Sequence, residues 1–245
     1  MTLTRRRKVV LAALLLYWPA IFILTHIPNT YLSQWVIATQ IGDKTPHFLA
    51  YLGLVFLWWF MISPYRKVDW FRPAVWVTIA IMAVYGTLDE WLQGFVGRQP
   101  DIWDFAADMA GVISALLLLT FVEFWGAALI VGGSIVFAAT NIMRIDIVGL
   151  MPRTSPIFYL ISYALIAACW TNHLSLRYWL NPPDRRWLPL ALLMPLAFMT
   201  FTHAYSAWAL DRTHTSPLVA GSAGIVVVIA TRWLYGLLRP KPQAS

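Results

Sequence analysis

The sequence predicts an all-α fold, a polytopic membrane bundle of about eight transmembrane helices, and three observations predict it. The chain is 60% hydrophobic and only 12% charged, with a mean hydropathy of +0.65, which is more apolar than a surface facing water tolerates. A spanning helix needs ~20 mostly apolar residues to cover ~30 Å, and eight such stretches recur along the 245 residues. The stretches are apolar all round and lack the period-two alternation of barrel strands, so each backbone must satisfy itself as a helix. The spans fall at 10–26, 46–62, 73–93, 102–121, 124–142, 156–172, 187–210 and 217–238.

Each span carries its own signals. The first, "TRRRKVVLAALLLYWPAIFIL", has the basic head and apolar run of a secretory signal but no small-x-small cleavage site, and is read as an uncleaved span. The second opens "DKTPHFLAY", where Thr45 suits an N-cap and Pro46 a first helical position. The third ends in "DEWLQ" and the fourth begins "DIWDFAAD". Span six contains Cys169, the single cysteine, so an internal disulfide framework is excluded. His203 and His214, in the last two spans' outer region, have no carboxylate stripe beside them and read as interfacial packing.

Lysines and arginines sort by alternate loops. Thirteen lie on one side, in clusters such as Arg5–Lys8, Arg66–Arg72, Arg177–Arg186 and Arg232–Lys241, and five on the other: Lys44, Arg98, Arg144, Arg153 and Arg212. The positive-inside rule then places both termini in the cytoplasm. The net charge of +7 is a topology signal, and nucleic acid is not implied as a partner.

An internal echo divides the chain. "FILTH" at 22–26 is answered by "FAATN" at 137–141, "TPHFLAY" at 45–51 by "SPIFYLI" at 155–161, Trp91 by Trp208 and Gly111 by Gly224, at offsets of 110 to 117 residues. A repeat of four spans predicts a 4+4 parallel arrangement, with residues 1–123 as one four-helix domain and 124–245 as a second, degenerate copy. Only the first keeps a cluster of carboxylates.

That cluster is the candidate site. In span two, Lys44, His47 and Tyr51 fall at i, i+3 and i+7, with Asp43 one turn earlier. Asp89 and Gln93, at i and i+4, share a face beside Glu90, and Arg98 follows in the loop. Asp101, Asp104 and Asp108 form one stripe of span four, continued by Gly111 and Ala115, small residues that let helices approach. An Asp facing mid-bilayer costs up to ~2.5–3.5 kcal/mol, so these groups must face the bundle interior or a wet cavity. His26, at the end of span one, either joins them or packs at the interface. Were Asp43, Asp89, Glu90, Asp101, Asp104 and Asp108 all ionised, Lys44 and Arg98 would leave four negative charges unbalanced. Protonation, water or a bound divalent cation can compensate. Oxygen ligands favour Mg²⁺ or Ca²⁺, and His47 admits Zn²⁺ or Mn²⁺, with His47, Asp89, Asp104 and Asp108 as candidate ligands.

The pair "DKTPHFLAYLGL" and "YGTLDEWLQGFVGRQPDIWDFAADMAGV" resembles the VanZ-like family of bacterial membrane proteins over roughly residues 8–122. The family's pattern falls on Asp43, Lys44, His47, Tyr51, Asp89, Glu90, Gln93, Arg98, Asp104, Asp108 and Gly111. Asp108 stands where many members have Asn, which adds a charge. The resemblance implies the bacterial cell envelope, with a multi-pass place in the inner membrane, and a link to low-level resistance to glycopeptides of the teicoplanin type. Three functions compete. One is an enzyme acting on an envelope lipid, its carboxylates and His47 supplying acid–base chemistry while Arg98 and Lys44 hold an anion; no nucleophile motif or HExxH spacing accompanies it. Another is a binding protein, transporter or flippase for an envelope lipid or drug, and the third a non-catalytic scaffold. The expectation carried forward is that these residues bind or process an amphipathic envelope ligand, lipid or glycopeptide, on the outer side.

Overall fold

The computed structural model describes residues 5–26, 44–63, 67–96, 99–142, 148 and 152–238. Among them are eight α-helices and no strand: α1 (Arg5–Thr25), α2 (Lys44–Ile62), α3 (Pro73–Gln93), α4 (Ile102–Phe121), α5 (Phe124–Phe137), α6 (Ser155–Arg177), α7 (Trp187–Leu210) and α8 (Ser216–Leu238). Seven stretches, all but α1, are long and apolar enough to cross a membrane. Large apolar side chains stand exposed halfway along them, among them Val84 at 61%, Leu165 at 61% and Val227 at 61%. Lipid is the solvent such surfaces suit, and the chain is a multi-pass membrane protein.

The helices keep the expected order, with local differences. α1 begins at Arg5 instead of residue 10, so the basic head is itself helical. α2 begins at Lys44, which places Thr45 and Pro46 inside its first turn, where backbone N–H groups have no intrahelical acceptor and the missing N–H of proline is harmless. Thr45, expected as the cap, is thus itself helical, and Asp43 and Arg98 lie outside the described residues. α5 gives way after Phe137 to a π-helical turn, Ala138–Ile142, in which the Thr140 hydroxyl donates to the Val136 carbonyl at 2.8 Å. α6 runs on to Arg177, five residues past the expected 172.

The chain forms two compact units, Met1–Ile145 and Asp146–Ser245. α5 lies in the first, whereas the boundary at 123/124 assigns it to the second half. In the first unit α2 is the hub, with α1, α4 and α5 all packed on it, and α3 lies against α4. Its core runs through Tyr51, Leu54, Val55 and Trp59 of α2 to Val112, Ala115 and Leu116 of α4. The segment before α3 closes one end of α4: the Lys67 ammonium donates to the Phe121 carbonyl at 2.8 Å and Val68 N–H to the Leu119 carbonyl at 3.1 Å, covering helix-end carbonyls with a cation and a donor. Trp70 adds a bond to Thr120 at 3.0 Å. In the second unit α6 and α8 pack along their length and α7 joins both.

Without water to drive apolar surfaces together, helix pairing in lipid depends on close approach of small residues. Gly111 of α4 supplies it: a Cβ there would collide with the Phe48 carbonyl and lie 3.0 Å from the Leu52 nitrogen, both backbone of α2. Gly224 of α8 does the same within the second unit, against the Leu160 carbonyl and the Ala164 nitrogen of α6. Gly111→Ala must therefore separate α2 from α4, and is expected to cost about 1–3 kcal/mol, whereas Gly132→Ala, where a Cβ meets nothing within 4 Å, is expected to be neutral. Unfolding of both variants in detergent checks this, and equal midpoints would contradict it.

Candidate functional site

The close α2–α4 crossing sets which polar groups meet above it. α2 begins, α3 ends and α4 begins at the same end of the first unit, so three short sequence stripes converge. The Lys44 ammonium lies between Asp101 and Asp104, with ion pairs to both. One turn further, His47 presents Nδ1 to Asp108 Oδ1 at 3.0 Å and Nε2 to Asp104 Oδ2 at 3.6 Å. Lys44, His47 and Tyr51 thus meet Asp101, Asp104 and Asp108 as stripe on stripe, the pairing that i, i+3, i+7 spacing makes. Asp108 sits about 10 Å further into the bundle than Asp101 at ~1.5 Å per residue.

α3 contributes the third side. Gln93 donates from Nε2 to Asp89 Oδ2 at 3.0 Å and to Glu90 Oε1 at 3.3 Å. Glu90 Oε2 accepts the backbone N–H of Asp101 at 3.0 Å, tying the end of α3 to the start of α4. Asp101 caps α4, its Oδ1 accepting Trp103 N–H at 2.9 Å. From α1, His26 bonds the Phe22 carbonyl through Nδ1 at 2.8 Å and lies 3.8 Å from Asp89 Oδ1, so it borders the cluster. His47, Asp89, Glu90, Gln93, Asp104 and Asp108 are all buried, Asp108 completely. Below them lies an aromatic floor: Tyr51 and Tyr85 with ring centres 5.7 Å apart, and Trp18 edge-on to Tyr85 at 5.2 Å.

Every predicted site residue that is described therefore belongs to one centre, and Asp43 and Arg98 fall outside the described residues. The roles differ from those expected. Lys44 is already engaged by two carboxylates. Of the candidate metal ligands, His47 and Asp108 group within ligating reach of Glu90, while Asp104 is held by Lys44 and Asp89 by Gln93. Two positions escaped the sequence reading: Tyr85 and Gly86. Both carried a signal, since Tyr85 lies one turn before Asp89, and Gly86 precedes Asp89 and Gln93 at i+3 and i+7. A Cβ on Gly86 would sit 3.3 Å from Phe105 Cδ2, 3.3 Å from the Tyr51 hydroxyl and 3.4 Å from Asp108 Oδ2, so the bare glycine leaves a narrow notch between those two oxygens. Neither oxygen has a hydrogen-bond partner, although both are buried.

Asp101 stands outside the spanning helices. The Lys44 ammonium hydrogen-bonded to its carboxylate, aided by the Trp103 amide, holds its pKa below the ordinary aspartate value. A depressed carboxylate stabilises the fold above its unfolded pKa, and that contribution vanishes as pH falls through the lower folded value. Lys44→Met is accordingly expected to move the Asp101 titration midpoint up towards the usual range of about 3.9. Carboxyl carbon NMR of labelled aspartates reads it, and an unmoved midpoint would contradict the pairing. Comparison with family models, curated proteins and solved structures finds no match to this chain.

Proposed function

We propose that the chain is a VanZ-like membrane protein of the bacterial cell membrane, and that the centre formed by α2, α3 and α4 captures the polar head of an amphipathic envelope ligand from the outer side, with both termini in the cytoplasm. One observation carries the reading. The centre holds more polar groups than pinning three helices requires, and two of its buried oxygens, Tyr51 Oη and Asp108 Oδ2, face a notch with no protein donor or acceptor. Buried polar groups in a finished structural network are paired, because each unpaired one costs about 1–3 kcal/mol. Unpaired groups beside a bare glycine are what a binding site leaves for its ligand.

The chemistry of the lining selects the ligand. Carboxylates accept hydrogen bonds, so the guest must bring donors: hydroxyl, amide or amine groups, as on a sugar- or peptide-bearing amphiphile. A glycopeptide of the teicoplanin type meets that description, as does a saccharide-linked envelope lipid. His47 between two carboxylates is also suited to move a proton, so processing of the bound head is compatible with the same geometry. The second unit supports a division of labour between two degenerate copies. Its α6–α8 crossing at Gly224 reproduces the α2–α4 crossing at Gly111. Where the first unit has Asp108, the offset of 113 residues places Gly221, whose missing side chain is covered by Tyr163 and Met199.

His47→Asn and Asp108→Asn remove buried, charge-assisted partners, each worth about 1.5–3 kcal/mol, or more than tenfold in affinity. Purified protein in lipid nanodiscs is expected to bind teicoplanin or an extracted envelope lipid, and both variants to raise the Kd more than about tenfold at unchanged expression. Equal Kd values in wild type and variants, with envelope lipid profiles unchanged on deletion, would leave a scaffold role as the better reading.

A further inference from the structure

We propose that the first unit binds one divalent transition-metal ion, Zn²⁺ or Mn²⁺, between His47, Glu90 and Asp108; this deepens the reading above and rests on the same site. One ligand atom from each of the three lies within 4.8 Å of the others, and all three residues are buried. They come from three different helices, so the triad is made by the packing of α2, α3 and α4 and by no local motif.

A cluster of acids alone would not require an ion. The independent observation is the notch at Gly86. Asp108 turns Oδ1 to His47 Nδ1 at 3.0 Å, while its other oxygen, fully buried, has no partner. The Tyr51 hydroxyl, 1% exposed and on a different helix, has none either, and both border the space a Gly86 Cβ would enter. An ion seated on the Asp108 carboxylate satisfies that oxygen directly, and a water on the ion reaches the tyrosine hydroxyl.

The surroundings are those of a metal site. A ligating histidine is usually oriented by a carboxylate on its other nitrogen. Here His47 Nε2 faces Asp104 Oδ2 at 3.6 Å, and Asp104 is itself fixed by Lys44. Glu90 is steadied by the Asp101 amide at 3.0 Å and by Gln93 at 3.3 Å, and each carboxylate oxygen keeps a second lone pair. The charge points the same way: among the described residues, Asp89, Glu90, Asp101, Asp104 and Asp108 crowd one helix end with Lys44 and two histidines. A dication offsets two of those negative charges in a region that water reaches poorly. Imidazole with two carboxylates suits Zn²⁺ or Mn²⁺ better than the all-oxygen shells of Mg²⁺ and Ca²⁺.

The test uses the metal alone. Full-length protein in nanodiscs is stripped with chelator, dialysed against Zn²⁺ or Mn²⁺, and its metal content measured by mass spectrometry across a range of free ion. Wild type is expected to retain about one ion per chain. Asp108→Asn and Glu90→Gln are each expected to weaken retention at least tenfold, and Asp104→Asn, a positioning change, by about 10–100-fold. Asp69→Asn, whose carboxylate pairs with exposed Arg72, should bind as wild type does. Wild type retaining no stoichiometric ion, or Asp108→Asn and Glu90→Gln matching Asp69→Asn, overturns the proposal; if Asp108→Asn fails to fold, Glu90→Gln decides. An absent ion with ligand binding still lost in His47→Asn would refute the metal and spare the ligand site, and a bound ion with ligand binding unaffected would do the reverse.

Discussion

Ionisable side chains at bilayer depth have to be turned towards one another, and the contact that permits this is the bare backbone approach of α4 to α2 at Gly111. With no Cβ in the way, α4 lies on the Phe48 carbonyl and the Leu52 nitrogen. That brings the Asp104 and Asp108 stripe onto Lys44 and His47, one to two turns above. A wider crossing would leave the same carboxylates looking at acyl chains, where insertion penalties accumulate. Packing and electrostatics are thus one constraint: the glycine exists for the carboxylates above it, and the carboxylates are tolerable because of the glycine.

The same logic runs through α3. Its last turn carries Asp89, Glu90 and Gln93 on the face that meets α4, and Glu90 uses the Asp101 amide as a hinge pin between the two helices. Most groups at this end hold a neighbour; besides the Tyr85 hydroxyl, two buried oxygens there, Asp108 Oδ2 and the Tyr51 hydroxyl, have no hydrogen-bond partner. Those two oxygens border the Gly86 notch, and they separate a site from a staple. The far end of the unit is tied by direct contacts: the Lys67 ammonium and the Val68 amide bond the Phe121 and Leu119 carbonyls of α4, and Trp70 bonds the Thr120 hydroxyl.

Much of this was legible in the sequence because helical periodicity is local. The stripes at 44, 47 and 51, at 89 and 93, and at 101, 104 and 108 are fixed by 3.6 residues per turn, and the cost of charge in lipid forces them to one interior. What was not legible depends on which stripe faces which. Nothing local says that Lys44 would be taken by Asp101 and Asp104, or that Glu90, and not Asp89, would come within reach of His47 and Asp108. Gly86 was silent for the same reason, since a glycine in a span reads as packing until the oxygens of two other helices are seen across it. The turn at Ala138–Ile142 was hidden because π-helical geometry leaves no mark on an apolar run.

The most direct measurement is an experimental structure of the full chain in lipid, with anomalous diffraction recorded at the manganese edge after equilibration with Mn²⁺. The account predicts one anomalous peak bounded by His47, Glu90 and Asp108, with Asp104 behind the imidazole and Tyr51 across the notch. Those side chains splayed towards acyl chains, with no peak among them, would contradict it.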